Sequence, residues 1–145
     1  MKKKKPVSVP LSIEQLQGTG YHVFVHVKVN GKKCRFLIDT GASHSVISKA
    51  YYEKKLGKKK LKTVKQATTG LHSSTSKSHF GDVAKLSLGK LTIDDITLAA
   101  IDLSHVNETY KELKKKKIDG IIGSDLLRKQ NAVIDYGQAV LLLIP

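Results

Sequence analysis

The segment FLIDTGAS, residues Phe36–Ser43, decides the fold of this chain. The three apolar residues before Asp39 predict a buried strand. Asp39 therefore stands where a core strand ends and a tight turn begins. A carboxylate at such a place is unfavourable unless it is paired, hydrogen-bonded or neutralised, which suggests a functional use. A simpler interpretation is an Asp that caps its own turn, as this residue often does.

The residues before this segment predict a β-hairpin. Valines alternate with other residues along Tyr21–Val29, which is the period of a strand. Asn30-Gly31 is a strong hairpin signal, and the return strand Lys32–Ile38 delivers Asp39. His22 and His26 fall on the face opposite the valines. We expect both to be exposed, and without a third ligand nearby they do not predict a metal site.

The remaining elements make the chain all-β with a few short helices. We expect a loose arm over residues 1–18, with an edge strand near Val7–Ile13, ahead of one domain over residues 19–145. The later patterns predict a short helix from an N-cap at Ser48 to Gly57, strands Leu61–Thr69 and Thr75–Leu88 around a polar tip at Gly70–Ser74, a bulge at Gly81-Asp82, a strand over Leu91–Leu103, modest helical character over Asn107–Lys117, a short helix capped by Ser124, and a terminal hairpin of Ala132–Asp135 with Ala139–Ile144.

The composition narrows the class of protein. The chain has 145 residues, of which 40% are hydrophobic, enough for one domain with a real core. Its net charge is +14, but only Arg35 and Arg128 of the 26 basic residues are arginines, so we expect at most weak, nonspecific binding of polyanions. Cys34 is the only cysteine, which excludes an intrachain disulfide and a cysteine-based zinc cluster. No segment predicts a signal peptide or a membrane span, which favours a cytoplasmic location without a membrane partner.

A second motif, Gly120-Ile121-Ile122-Gly123, follows late in the chain and leads into a short helix. With Asp39-Thr40-Gly41 and the hairpin around Gly70, it resembles the retropepsin-like aspartic proteases, the single-domain relatives of pepsin. The resemblance covers roughly residues 19–145, and the order of the three elements agrees. It looks closest to the bacterial cellular members, because viral enzymes tend to carry a carboxylate at the position of Ser43. The resemblance implies an all-β acid-protease barrel with a flap hairpin and one to three short helices.

The implied activity is hydrolysis of peptide bonds by an activated water, with no cofactor and no metal. Two close carboxylates share one proton, so that one acts as base while the other donates a hydrogen bond. Asp39 is the candidate catalytic residue; Asp119 belongs to the second motif, Asp125 to a predicted helix and Asp135 to the terminal hairpin. The chain thus supplies one catalytic carboxylate. A homodimer would bring two copies of Asp39 to a two-fold axis, with a peptide or unfolded protein as substrate.

The resemblance also implies supporting roles. In the active-site loop Thr40 would bond across the dimer axis, Gly41 would let the backbone approach the carboxylates, and Ala42 and Ser43 would complete the turn. Thr69, Gly70 and Leu71 would form the flap tip over the substrate. Ala42, Leu71 and Ile122 would contact the cleft, and the terminal strands, Val140–Ile144 and residues 7–13, would seal the dimer.

Three other functions stay open at the level of sequence. A retropepsin-fold dimer could bind peptides or act as a scaffold without cleaving. The Asp39-Thr40-Gly41 turn faintly resembles a phosphate-binding loop of actin-like ATPases, which need two large domains that this chain is too short to supply. A basic nucleic-acid module would show steeply salt-dependent binding.

Overall fold

A computed structural model of the chain describes residues 5–67 and 75–145. The predicted flap tip, with Thr69, Gly70 and Leu71, lies outside these residues. The strands are β1 (Val7–Gln15), β2 (Tyr21–Val29), β3 (Lys32–Ile38), β4 (Val46–Ser48), β5 (Lys62–Ala67), β6 (Thr75–Leu88), β7 (Leu91–Ile101), β8 (Gly120–Ile122), β9 (Val133–Asp135) and β10 (Val140–Leu143). The helices are α1 (Lys49–Tyr52), continued by a π-helical turn (Glu53–Gly57) and a 3-10 turn (Lys58–Lys60), then α2 (Ser104–Glu112) and α3 (Ser124–Lys129).

Six of the strands close into a barrel, which confirms the predicted all-β fold. The strands follow one another in the order β6, β7, β4, β8, β3 and β2, and a short pairing of β2 with β6, at Lys28–Ser87 and Val29–Leu86, completes the ring. The valines of β2 point inward and are buried, as their alternation predicts. They pack in one hydrophobic core with Phe36, Ile47 and Leu86, none of which is exposed to solvent.

The N-terminal strand is better integrated than a loose arm or an edge strand. The first half of β1 pairs with β10, and its second half pairs with β2. Val9 is buried in the main core, which explains why this segment is held against the barrel. Strands β1, β10 and β9 make a terminal sheet in which β10 lies between two strands of its own chain.

Of two local predictions, the helix cap at Ser48 is confirmed and the bulge at Gly81-Asp82 is not. The Ser48 side chain caps α1 by accepting a hydrogen bond from the Tyr51 N–H, as predicted. The predicted bulge at Gly81-Asp82 is wrong, because β6 keeps one register with β7 on both sides of it. Gly81 instead makes room for a neighbour, since a Cβ there would overlap the ring of Tyr52.

Helix α2 covers one side of the barrel. The modest helical character predicted over Asn107–Lys117 corresponds to this helix, which ends at Glu112. Its Tyr110 is buried and packs with Phe24, Leu103 and Ile118 in a second hydrophobic cluster. We call the barrel side beneath it the outer face; it carries His22, Phe24, Arg35, Leu37 and Ile121.

His22 departs from its prediction because it belongs to this outer face. It is half-buried, and its Nδ1 lies 2.8 Å from the Tyr110 hydroxyl, whereas His26 is exposed as predicted. No helix of the described residues has the length and apolar character needed to cross a membrane.

Candidate active site

Asp39 is held at the end of β3 by its parallel neighbour β8. Residues Phe36–Ile38 pair in register with Gly120–Ile122. The Asp39 N–H then donates to the Ile122 carbonyl at 3.0 Å, which carries the pairing one residue past the strand. The second motif therefore fixes where the Asp39 backbone lies.

The turn after Asp39 is closed by Asp39 itself. The Ala42 N–H donates to the Asp39 carbonyl at 3.1 Å, and the Gly41 N–H donates to Asp39 Oδ1 at 3.0 Å. A Cβ at position 41 would lie 3.3 Å from Oδ1, closer than most real Cβ contacts, so glycine suits this approach. The simple turn-capping interpretation is thus correct, and it leaves the carboxylate half-buried beside the exposed Thr40.

The two glycines of the second motif permit close packing against this loop. A Cβ on Gly120 would overlap the ring of Phe36, and one on Gly123 would lie 2.7 Å from the Ala42 carbonyl oxygen. The Ser124 N–H donates to that same carbonyl at 2.8 Å. The loop is therefore bonded to the second motif along its length.

A polar link between Ser45 and Asp125 fastens the far end of the loop, and sequence reasoning missed it. Ser45 is buried, and both its N–H (2.9 Å) and its hydroxyl (2.7 Å) donate to Asp125 Oδ1. The Ser45 hydroxyl oxygen in turn accepts from the Gly123 N–H at 2.9 Å. No pattern in the sequence connects these two residues, which lie far apart along the chain.

Asp125 also replaces the predicted helix cap. Helix α3 starts at Ser124 with no side-chain cap, so the prediction that Ser124 caps it is wrong. Asp125 Oδ1 accepts from the Leu126 N–H at 2.8 Å instead. Burial alone would raise the pKa of Asp125, but the hydrogen bonds from Ser45 and Leu126 lower it overall, so the charged form is favoured.

The residue of the second motif on the side of Asp39 is Ile121, one residue before the expected cleft contact, Ile122. Ile122 is buried in the main core, whereas Ile121 is half-buried and packs with Leu37 on the outer face. Side chains alternate along a strand, so Leu37 and Asp39 share a face. The register pairs Leu37 with Ile121, which places both next to the carboxylate.

Two grooves lie beside the loop. One, of about 650 Å³, lies between the residues after the loop and strands β6 and β7; His44, Lys49, His79, Phe80 and Asp102 are among its lining residues. The other, of about 470 Å³, is lined by Thr40, Ser124 and residues of the chain's last third, including Leu127 and Ile134. Within the part of the chain that the structure describes, no cluster of three His, Cys, Asp or Glu could hold a metal ion.

The barrel, the braced Asp-Thr-Gly loop and the second motif define a retropepsin-like aspartic protease fold. A family model for aspartyl proteases matches residues 25–126, and the chain belongs to that family. The match includes both motifs. A comparison with curated protein sequences finds no significant match.

Solved structures of distant relatives agree on the fold. A retropepsin-like aspartic protease from Rickettsia conorii is 19% identical, with a TM-score of 0.57 over 99% of this chain and 95% of its own. The retroviral protease-like domain of Ddi1 from Leishmania major is 18% identical, with a TM-score of 0.55 over 83% of this chain and 86% of its own. At these identities the likeness concerns the fold.

Proposed function

We propose that the chain is an aspartic endopeptidase that acts as a homodimer, with Asp39 contributed by each subunit. The observation that carries this proposal is the single Asp-Thr-Gly loop, whose carboxylate is fixed through Oδ1 while Thr40 beside it is exposed. Within residues 5–67 and 75–145, no hydrogen bond to Asp39 Oδ2 is found, so this oxygen can take part in chemistry.

The other aspartates near the loop are already committed. Asp119 Oδ2 accepts from the Arg35 N–H at 3.1 Å, and Asp125 holds Ser45. Neither is placed to form a second catalytic carboxylate with Asp39 in the same chain. A second copy of Asp39, related by a two-fold axis, supplies the missing group.

In this dimer the two carboxylates share one proton because like charges at such short range do not both ionise. The ionised carboxylate takes a proton from a water, and the water oxygen attacks the peptide carbonyl carbon. The protonated carboxylate donates its hydrogen bond to the carbonyl oxygen and later a proton to the leaving amine. No cofactor or metal is needed for these steps.

The subunit contact is proposed for the surface that runs from Thr40 to the outer edge of the terminal sheet. Strand β10 already has a partner strand on each side, so the terminal strands are engaged within their own chain. The Thr40-lined groove is continuous with Ile134 of β9, next to the large exposed side chains of Val133 and Tyr136. A second copy placed here would bury them and bring the two Asp39 loops together, with Thr40 bonding across the axis.

A peptide substrate would lie extended between the Asp39 loop and the β5–β6 hairpin. This path would follow the groove of about 650 Å³ that is lined by His44 and His79, where main-chain hydrogen bonds would hold an extended peptide. Thr69, Gly70 and Leu71, at the end of this hairpin, are proposed to close over the peptide. Ala42, half-buried in the loop, is proposed to contact it from below.

The test is cleavage of an unfolded protein in mildly acidic buffer by the wild type and by Asp39→Asn. We expect the substitution to abolish activity, a loss of at least about 10³-fold, because the base is removed. Asp94→Asn is the matched control, since Asp94 is an exposed aspartate on β7, and it should cleave like the wild type. Inhibition by a statine peptide and a dimeric mass in solution should accompany the activity.

Equal cleavage by wild type and Asp39→Asn would overturn the proposal. If both proteins bind the peptide but neither cleaves it, the chain is a non-proteolytic peptide-binding dimer. Retention of DNA or RNA near physiological salt would indicate a nucleic-acid module instead.

A further inference from the structure

A third groove, of about 460 Å³, lies at the end of β3 that is farthest from Asp39. The proposed protease chemistry does not use it. Its wall is formed by β2, by the start of β3 and by the segment between α2 and β8. The lining residues that matter here are mostly basic: His26, Lys33, Arg35, Lys116, Lys117 and Asp119.

The lysines that line this groove have no acidic partner. Within residues 5–67 and 75–145, Lys33, Lys116 and Lys117 form no ion pair with a carboxylate. The one carboxylate among the described residues of the groove is that of Asp119, and its Oδ2 accepts a hydrogen bond from the Arg35 backbone N–H. Three ammonium groups therefore face the groove with their charge uncompensated by the chain.

The strand register places like charges side by side at this point. Lys28 lies directly opposite Lys33, and His26 lies directly opposite Arg35. Both lysines are exposed. Like charges at directly opposite positions destabilise a sheet, so an anion bound across them would relieve a repulsion that the fold contains.

The segment that carries Lys116 and Lys117 is anchored from behind. The Ile118 N–H donates to Asn107 Oδ1 at 2.8 Å, and the Ile118 carbonyl accepts from Asn107 Nδ2 at 3.0 Å. The next backbone N–H donates to the Arg35 carbonyl at 2.7 Å. A ligand would therefore meet a backbone that is already ordered, which lowers the entropic cost of binding.

The lining favours a ligand that is recognised by charge. None of the described residues that line the groove is Phe, Tyr, Trp or an aliphatic residue. Protein partners are anchored by such side chains, and nucleic-acid bases by stacking or by a free arginine fork. The Arg35 guanidinium is already bound to both oxygens of Glu14. Lysine ammonium groups, by contrast, bind phosphate as point charges.

We propose that this groove binds a chain of phosphate groups, as found in a linear oligophosphate or in the triphosphate of a nucleotide. The ammonium groups of Lys33, Lys116 and Lys117 donate hydrogen bonds to the phosphate oxygens. The volume of the groove lies within the range of small-molecule sites. The site goes beyond the weak, spread-out binding of polyanions that the composition predicts, and it is independent of the proposed protease activity.

Another lysine-lined groove provides the contrast. It has a volume of about 630 Å³ and contains Lys59, Lys60 and Lys62, but also Asp82 and Asp95. Lys62 Nζ lies 2.8 Å from Asp82 Oδ2. Because two carboxylates offset its three lysines, we expect this groove to bind phosphate chains much more weakly.

The test is calorimetric titration of tripolyphosphate into the full chain at low ionic strength, where screening is small. The double variant Lys33→Gln/Lys117→Gln should bind about tenfold more weakly than the wild type, because each exposed ion pair contributes at most a few-fold. Lys59→Gln/Lys60→Gln is the matched control. It removes the same charge from the other groove and should change the affinity by less than about twofold.

A third variant and two further ligands sharpen the result. Asp119→Asn removes the carboxylate from the groove and should tighten tripolyphosphate binding by about two- to fivefold. ATP should bind within about threefold of tripolyphosphate, because the groove offers no aromatic side chain for stacking a base. An acetylated triglutamate should bind at least about tenfold more weakly, since its charges are fewer and farther apart.

Equal weakening by the two double variants would overturn the inference, because net surface charge would then explain the binding. So would a wild type that does not bind tripolyphosphate, or a folded Asp119→Asn variant with unchanged affinity. ATP binding more than about tenfold tighter than tripolyphosphate would indicate a base-recognising site elsewhere. Triglutamate binding as tight as that of tripolyphosphate would indicate a site for acidic peptides instead.

Discussion

The two faces of β3 are built in different ways. On the core face, Phe36 is fully buried and Ile38 nearly so, and both belong to the main hydrophobic core. On the outer face, Arg35 and Leu37 are half-buried and depend on partners from β1, β2 and α2. The first face is stabilised mainly by hydrophobic burial, with one polar contact of 2.9 Å between Cys34 Sγ and the Tyr51 hydroxyl. The second face also has paired charges, aromatic contacts and hydrogen bonds.

Arg35 shows how the outer face works. Its guanidinium donates to both carboxylate oxygens of Glu14, at 3.0 and 3.1 Å, and lies 3.7 Å from the centroid of the Phe24 ring. The planar group thus forms a bidentate ion pair and a cation–π contact at once. On the outer face, directional contacts such as ion pairs and hydrogen bonds position the side chains. On the core face, close packing of apolar side chains positions them.

The largest effect should come from the core face. Phe36→Ala should lower the free energy of unfolding by about 3–5 kcal/mol, since it leaves a cavity in a closed barrel. Leu37→Ala, one residue along and on the other face, should lower it by about 1–2 kcal/mol because a half-buried side chain leaves less apolar surface unfilled. Urea denaturation of both variants measures the contrast, and equal losses would remove the distinction between the faces.

Arg35→Lys should lower the free energy of unfolding by about 1–2 kcal/mol, although the charge is kept. An ammonium group cannot form the two parallel bonds to Glu14 or stack flat on Phe24. Arg128→Lys is the matched control: Arg128 is exposed, with one bond of 3.3 Å to Asn131, and its replacement should change stability by less than about 0.5 kcal/mol.

The ion pair also predicts a pH dependence of stability. Burial alone would raise the pKa of Glu14, but hydrogen bonds from Arg35 and Ser12, with the charges of Arg35 and Lys115, lower it below the usual 4.5. Because the pKa of Glu14 is lower in the folded state than in the unfolded state, the charged Glu14 stabilises the fold at pH values above the unfolded-state pKa. This stabilisation is lost as the pH falls through the folded-state pKa.

The free energy of unfolding of the wild type should therefore exceed that of Glu14→Gln by about 1 kcal/mol near neutral pH. This difference should shrink below about pH 4.5. Thermal unfolding at several pH values measures it. A difference that stays constant down to pH 2 would show that the Glu14 charge is not what matters.

A similarly small effect should follow Tyr110→Phe. Removal of the hydroxyl leaves His22 Nδ1 without its partner and should lower the free energy of unfolding by about 0.5–1.5 kcal/mol. His26 is the exposed counterpart on the same strand face, so His26→Ala should be close to neutral. If Tyr110→Phe leaves the free energy of unfolding unchanged, ring packing alone holds α2 in place.

The sequence was most informative for features that depend on neighbouring residues or on short, distinctive motifs. The alternating valines of β2, the Asn30-Gly31 turn and the paired motifs at Asp39 and Gly120 all appear in the structure as expected. Each of these features is local, or consists of two short segments whose chemistry is distinctive. The predicted N-cap at Ser48 is confirmed for the same reason, because capping depends on residues within one helical turn.

The failures share a different cause. The local sequence at Gly81 predicts a bulge. The need for glycine there comes instead from the ring of Tyr52, which belongs to a helix many residues earlier in the chain. Strand periodicity predicts an exposed His22, because it carries no information on the cover supplied by Tyr110. The Ser45–Asp125 link likewise joins two residues that no local pattern connects.

By itself, the sequence determined the all-β class, the core strand that leads to Asp39, and the tight turn on which Asp39 lies, because hydrophobic periodicity and turn chemistry are set by neighbouring residues. Only the tertiary structure decided which side chains surround that carboxylate. Helix α2 packs beside Leu37 and Ile121, and Asp125 bonds to Ser45, and such contacts depend on the relative positions of whole elements.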